Sequence, residues 1–243
     1  MPPQQTGGTI LSPSYINRLK PMITTATATA TRYDLVSRMP EDMVMIFHNV
    51  PWDEYVALSE QIGERRRLRL SFNDGTLKVM SLSPTHEKYA DFIKSLVVHV
   101  RLRLRINILF FGSATMRKRQ TSKGNEPDAS FYVQNAAAIG NRIEIDFAVD
   151  PPPDVVVEVD IHHASTDNDP IYAALGVPEI WRYDGWEMSI LRLQGETYVA
   201  VETSQALPML SASILTEYLE RLRRDGEFAA ILAFDEWLQS LPR

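Results

Sequence analysis

Residues 151–161 of the chain read Pro-Pro-Pro-Asp-Val-Val-Val-Glu-Val-Asp-Ile. A continuous run of β-branched residues that follows turn-forming residues predicts a strand buried on both faces of a sheet. Glu158 and Asp160 lie two residues apart in this run, so the period of a strand puts both side chains on one face. Two carboxylates in that position repel each other, so either one carries a proton or a metal ion lies between them. We favour the metal site over a purely structural pair.

The segments before this strand predict a hairpin and a long helix. Leu68, Leu70 and Phe72 alternate with polar residues, and Asn73-Asp74-Gly75 supplies the turn of a hairpin. Ser83-Pro84 then marks the start of an amphipathic helix of about 20 residues.

The segments after the strand alternate in the same way. Residues 165–175 predict a helix whose regular part Pro170 confines to the second half, and a strand follows at 179–183. A hairpin turns at Gly195, and two amphipathic helices separated at Gly226 complete the chain. This order predicts an α/β (α+β) fold, in which a mixed β-sheet is flanked by helices, with an N-terminal hairpin and C-terminal helices.

Composition limits the kind of protein and the kind of metal site. The chain has 243 residues, 44% of them hydrophobic, and no cysteine, so a metal ion would be bound by oxygen or imidazole. The lack of cysteine fits a reducing compartment, and no apolar run approaches the roughly 20 residues of a membrane span. We therefore expect a cytoplasmic protein. Residues 1–40 are low in complexity and predict a disordered tail, and residues 41–243 predict one domain.

Charge is distributed unevenly along the chain. The net charge is −6, but the segment from Glu64 to Lys123 holds 14 basic and 4 acidic residues, a net charge of +10. Such a segment predicts a surface that binds a polyanion, and the alternative is a set of solvated helix and strand faces. The cations we assign to nucleic-acid contact are Arg117, Lys118, Arg119 and Lys123.

A third carboxylate is available at Asp128, which Pro127 places at the start of another predicted strand. A ligand set of oxygen atoms alone favours Mg²⁺, with Mn²⁺ as the alternative. An ion of this kind lowers the pKa of a bound water and polarises a phosphoryl oxygen, which is the chemistry of phosphodiester hydrolysis.

Two sets of residues resemble a known family. Pro127-Asp128 followed by Glu158-Val159-Asp160 resembles the PD-(D/E)XK nuclease signature. The strings around Asp74-Gly75 and Ser83-Pro84, and above all Gly176-Val177-Pro178-Glu179-Ile180-Trp181, resemble the Uma-type family of restriction-endonuclease-like proteins, over about residues 50 to 235. The resemblance implies a restriction-endonuclease-like core, Asp128 and Glu158 as magnesium ligands, and DNA as the substrate.

The chain departs from that signature at its third position. The family pattern has a lysine where this chain has Asp160, which would instead complete or tune the metal site. A lysine on the next helix can take the role in the family, but the matching residue is Asn168, and no lysine follows Lys123. The role of the missing lysine would then fall to Arg182, to Lys88 or to no residue.

Two histidines are candidate accessory residues. His86 opens the long predicted helix, and His163 follows the Glu158 strand with His162 beside it. Each histidine would either lie close to the metal or a phosphate, or have a purely structural role.

Three functions follow from these residues. The first is a magnesium-dependent DNA endonuclease, which would act as a homodimer because duplex cleavage needs two sites. The second is a catalytically inactive protein that uses the same scaffold to bind nucleic acid or a protein partner. The third is a metal-dependent hydrolase of another phosphate substrate.

Overall fold

Seven α-helices and eleven strands form the part of the protein that a computed structural model describes, residues 31–63, 68–161 and 164–242. The elements up to the long helix are α1 (Arg32–Val36), β1 (Val44–Phe47), α2 (Trp52–Ile62), β2 (Leu68–Asn73), β3 (Thr76–Ser81) and α3 (Pro84–Leu104). The next elements are β4 (Leu109–Phe110), β5 (Met116–Lys118), β6 (Lys123–Asn125), β7 (Ala129–Tyr132), α4 (Ala136–Ile139) and β8 (Val155–Val159). The last elements are α5 (Asp169–Leu175), β9 (Glu179–Tyr183), β10 (Met188–Gln194), β11 (Thr197–Val201), α6 (Ala212–Asp225) and α7 (Glu227–Ser240).

The first sheet is antiparallel, with strand order β1-β3-β2-β6-β5. Its two faces differ because successive side chains of a strand point to opposite sides. Leu70 and Phe72 are buried on one face, in a cluster with Tyr55 and Leu58 of α2. The other face lies against the second sheet and carries polar side chains together with Met80 and Met116. Its polar contacts to that part of the protein include those of Arg69, Ser71, Lys78 and Asn125.

The second sheet is mixed, with strand order β11-β10-β9-β8-β7-β4. Strands β8 and β9 are parallel and joined through α5, whereas the other neighbours are antiparallel. Val155, Val157 and Val159 face a core built from α3, α6 and α7. Val156 faces α5 on the opposite side, and Glu158 shares that side because the strand period is two. The mixed sheet flanked by helices and the doubly buried strand are both confirmed.

Sequence signals explain where the main helices begin and end. The Ser83 side chain accepts a hydrogen bond from the His86 backbone N–H and caps α3. Residues 166–168 form a 3₁₀ turn, and α5 begins at Asp169 with Pro170 in its first turn, as predicted. Gly176 ends α5 with a φ of 81°, a conformation that glycine adopts without strain.

Part of the segment that we expected to be disordered is helical. Helix α1 lies inside residues 1–40, so order begins before residue 41. Thr31 and Asp34 form a capping box at its start, and Val36 is buried against α2, which together explain why this segment is ordered. Residues 1–30 lie outside the described part of the chain, and one domain from 41 to 243 stays a prediction.

Candidate functional site

Asp128 is buried at the start of β7, beside the end of β8. Its backbone N–H donates to the Val157 carbonyl at 3.1 Å, and its Oδ2 accepts the Val159 N–H at 2.8 Å. The Nε2 atom of His86 is 3.4 Å from Oδ2, and Arg69 Nε is 3.7 Å from Oδ1. Within the described residues, Oδ1 is buried and accepts no hydrogen bond. Asp128 is therefore held in place through Oδ2, while Oδ1 has only the guanidinium of Arg69 nearby and accepts no hydrogen bond.

Glu158 is buried between the two sheets and is also held through one oxygen. Its Oε1 accepts hydrogen bonds from Tyr172 Oη at 2.5 Å, Asn125 Nδ2 at 3.3 Å and Asn168 Nδ2 at 3.4 Å. These donors come from β6, from α5 and from the turn before α5, so Glu158 lies where both sheets meet.

Burial and mutual repulsion disfavour the charged forms of these carboxylates. Burial raises the pKa of Glu158, and the negative charge of Asp128 raises it further. Burial also raises the pKa of Asp128, although Arg69 and the Val159 N–H oppose that shift. A proton or a cation bound between them would relieve the repulsion.

Asp160 follows the end of β8 and has other partners. Its Oδ2 accepts hydrogen bonds from Ser165 N at 2.8 Å and Ser165 Oγ at 3.0 Å, and Arg182 Nε lies 3.3 Å away. Arg182 also donates to Asp169 at 2.5 Å. The two predicted residues Asp160 and Arg182 are thus paired with each other.

The donor set fits a hard divalent cation held by two protein carboxylates. Asp128 Oδ1 accepts no hydrogen bond within the described residues, and Mg²⁺ commonly binds one or two carboxylates and keeps several waters. Among residues 31–63, 68–161 and 164–242, no three His, Asp or Glu side chains are grouped closely enough to share a metal ion. The predicted three-carboxylate set with Asp160 is therefore not assembled among these residues, and Asp128 and Glu158 as ligands stay a prediction.

The accessory candidates lie in different places. His86 contacts Asp128, as described above, and burial lowers the pKa of its imidazole, with Arg69 adding to the effect. Lys88 is exposed on α3, and His163 lies outside the described residues.

Sequence reasoning missed Lys78, which lines a small cavity with Glu158 and Asn168. The burial of Leu77 and Val79 does place Lys78 on the other face of β3. This face covers Glu158 because of the way the hairpin packs on the second sheet. No local sequence pattern predicts that packing.

The predicted nucleic-acid contacts are largely ion-paired. Arg117 lies 3.4 Å from Glu60, Arg119 lies 2.7 Å from Asp53, and Lys123 lies 2.6 Å from Asp74. These pairs join residues about 50 or more positions apart in the sequence, so a count of basic residues along the segment overstates its free positive charge.

A cleft of about 920 Å³ lies next to the cavity at Glu158, and neither Asp128 nor Glu158 lines it. Arg117, Lys118 and Arg119 line it, but Lys123 does not. Arg69 and Glu126 line both this cleft and the cavity at Glu158, so they form the wall between the two spaces.

The Gly-Val-Pro-Glu-x-Trp string has a structural role. Glu179 Oε1 accepts hydrogen bonds from Trp181 Nε1 at 2.7 Å and from Ser204 Oγ at 2.5 Å, and Oε2 accepts the Gln205 N–H at 2.7 Å. This buried carboxylate, which we call the Glu179 anchor, ties the segment after β11 to the second sheet and lies in neither space described above.

Fold and site together define a mixed α/β protein with two buried carboxylates and a nearby cleft that four basic and four acidic residues line. The chain belongs to the Uma2 family, described as "Putative restriction endonuclease", whose profile matches residues 52–223. The resemblance seen in the sequence is thereby confirmed.

A solved structure is also similar to this chain. It is described as "a putative nuclease belonging to DUF820 from Anabaena variabilis", with 17% sequence identity and a TM-score of 0.48, over 70% of this chain and 99% of that one. A search of curated proteins gave no significant match. None of the helices in the described residues is long and apolar enough to cross a membrane.

Proposed function

We propose that this protein is a metal-dependent endonuclease that hydrolyses DNA phosphodiester bonds. The observation that carries the proposal is the buried Asp128 Oδ1, which lacks a hydrogen-bond partner within the described residues and lies near a second buried carboxylate. Membership of a family described as restriction endonucleases supports a phosphodiester as the substrate.

Asp128 and Glu158 would hold Mg²⁺, or Mn²⁺ in its place. Such an ion, when bound, supplies an activated water and polarises a phosphoryl oxygen. The protein's own contribution is orientation: Tyr172 and Asn125 fix Glu158 through Oε1, and the Val159 N–H fixes Asp128 through Oδ2.

Substrate binding would fall to the cleft and to Arg69. Lys118 and its neighbours in the cleft would contact the DNA backbone. Arg69 lies between the cleft and Asp128, so its guanidinium is placed to meet a phosphate that approaches the carboxylates. We propose that the protein acts in the cytoplasm. We also propose a homodimer, because cleavage of both DNA strands needs two sites.

The test is nicking of supercoiled plasmid by wild type, Asp128→Ala and Glu158→Ala in magnesium, manganese or EDTA. Glu196→Ala, in the exposed turn between β10 and β11, is the control for loss of a carboxylate. We expect nicking by wild type and by the control that requires a divalent metal, and its loss in both site variants. Equal nicking by wild type and Asp128→Ala would overturn the proposal.

The positive charges of Arg69 and Arg182 favour a second function, the binding of a partner without cleavage. Arg69 lies beside Asp128, and Arg182 lies beside Asp160. Asn168 is neutral and stands where the family can have a lysine. The protein could therefore bind nucleic acid or a protein partner without cleaving DNA. This function is supported if wild type cleaves in neither metal but binds DNA with an affinity that falls as salt increases.

A further inference from the structure

We propose that Lys78 is a phosphate-binding residue at the mouth of the Glu158 cavity, where it contacts one oxygen of the DNA phosphate that undergoes cleavage. This inference rests on the proposed function and adds a residue to it. The lysine comes from the face of the first sheet that lies against the second sheet, whereas the carboxylates belong to the second sheet.

The strand register places Lys78 opposite the site. Lys78 pairs with Ser71 on β2, and Ser71 pairs with Asn125 on β6. Directly paired residues of antiparallel strands share a face, with Cβ atoms about 5 Å apart, so the three side chains form one row across the sheet. Asn125 at the end of this row donates to Glu158, and Ser71 in its middle donates to Asn168 at 2.9 Å.

The contacts of Lys78 place its ammonium group at the loop that follows β8. Its Nζ donates to the Ala164 carbonyl at 3.4 Å, and the side chain lines the cavity with Glu158, Asn168 and Ser165. The cavity is about 20 Å³, roughly the space for one water, so it has room for a single phosphoryl oxygen and not for a whole phosphate group. Lys78 therefore contributes to the wall of the space that Glu158 faces.

The charge of Lys78 is available for a ligand. Within the described residues, Lys78 forms no ion pair, and the one long hydrogen bond to Ala164 uses one of its three donors. By contrast, Arg69, the other cation on the cavity wall, lies near Glu87 and Asp128. Of the two cations on this wall, Lys78 is thus the one with fewer anionic side chains nearby, among those described, to compete with a phosphate.

An ammonium group at this place would stabilise the charge that develops on a phosphoryl oxygen. Donors that are already oriented towards such charge contribute most where water is excluded, and loss of one commonly slows a reaction about 100- to 1000-fold. Lysine provides a compact charge that also binds a phosphate in the ground state. Both effects are measurable separately.

The test compares Lys78→Met, Lys78→Arg and Arg224→Met. Arg224→Met removes one positive charge from the exposed end of α6 and is the charge-matched control. Circular dichroism and thermal melting first establish that each variant folds. Lys78→Gln, which retains a long polar side chain, replaces Lys78→Met if the latter is unfolded.

The first readout is DNA binding, measured by fluorescence anisotropy with calcium in place of magnesium. The logarithm of the binding constant falls with the logarithm of salt by about 0.9 for each phosphate contact. We expect the slope to decrease by about 0.9 in Lys78→Met, and to be unchanged in Lys78→Arg and Arg224→Met. The second readout is plasmid nicking in magnesium, which we expect Lys78→Met to slow about 100-fold or more.

The outcomes separate this inference from the proposed function. An unchanged salt slope in Lys78→Met overturns the inference, even if nicking slows, because Lys78 would then act through Glu158 and not on DNA. A reduced slope with no nicking by wild type supports the phosphate contact and overturns the nuclease. Nicking by wild type with the full slope and rate retained in Lys78→Met supports the nuclease and overturns the inference.

Discussion

His86 Nε2 lies 3.4 Å from Asp128 Oδ2, in the interior between the first turn of α3 and the start of β7. Burial lowers the pKa of His86, with Arg69 adding to the effect, so the environment disfavours the imidazolium cation beside Asp128. Partners of this kind orient metal-binding side chains.

His86→Phe is expected to weaken magnesium binding about 10- to 100-fold, because it removes the ring nitrogen beside Asp128. Isothermal titration calorimetry measures the affinity directly. His48→Phe, at an exposed position after β1, is the matched control and should bind magnesium as wild type does. Equal affinity in His86→Phe and wild type would show that Asp128 needs no help from this histidine.

The stability of the metal-free protein should fall as pH rises. Burial raises the pKa values of Asp128 and Glu158 in the folded state above those of the unfolded chain. Such groups stabilise the fold fully at pH values below the unfolded pKa, and that stabilisation is lost as pH rises through the folded pKa. We expect the melting temperature in EDTA to decrease between about pH 5 and pH 8, and to decrease less in Asp128→Asn.

Magnesium should reverse this loss at high pH. The ion binds ionised carboxylates, so the increase in melting temperature that it produces should be small near pH 5 and grow towards pH 8. Thermal melts at several magnesium concentrations measure the increase. An increase of the same size in Asp128→Asn would place the bound ion elsewhere.

Removal of the Glu179 anchor should destabilise the fold without a specific effect on the metal site. Glu179→Ala leaves Trp181 Nε1 and Ser204 Oγ without their acceptor, and we expect a loss of about 3 kcal/mol or more in the free energy of unfolding. Urea denaturation measures the loss, and Glu196→Ala should change it by less than about 0.5 kcal/mol. The magnesium affinity of the folded variant should match that of wild type, and a selective loss of affinity would contradict a purely structural role.

Release of Arg119 from its ion pair should strengthen DNA binding. Asp53→Asn removes the carboxylate 2.7 Å from Arg119 in the cleft, so we expect a few-fold higher affinity at low salt and no gain at high salt. Asp225→Asn is the matched control because it releases Arg224, which is on α6 and outside the cleft. Fluorescence anisotropy across a salt series measures both. An equal gain in the two variants would show that overall charge matters and the cleft does not.

Strands β7 and β8, with the carboxylates Asp128 and Glu158, could be predicted because their signals are local. A β-branched run marks β8, and Pro127 before Asp128 marks the start of β7. Asp160 shows where such reasoning stops. The alternation of faces applies within a strand, but β8 ends at Val159, and Asp160 then pairs with Ser165 and Arg182.

The remaining features depend on contacts between distant segments. Lys78 is close to Glu158 only because the hairpin lies across the second sheet, and Arg117 is neutralised by Glu60 on a helix far away in sequence. A count of charges along the chain contains no information on either contact.

The Glu179 anchor has a consequence for how related sequences are classified. The string from Gly176 to Trp181 is the easiest to recognise, yet its glutamate is used in holding the scaffold together. This chain therefore uses its most recognisable motif to hold the scaffold, so the motif alone does not tell whether a product can cut DNA. Under the functions proposed above, positions 128, 158 and 78 are the ones to compare when relatives are sorted by chemistry.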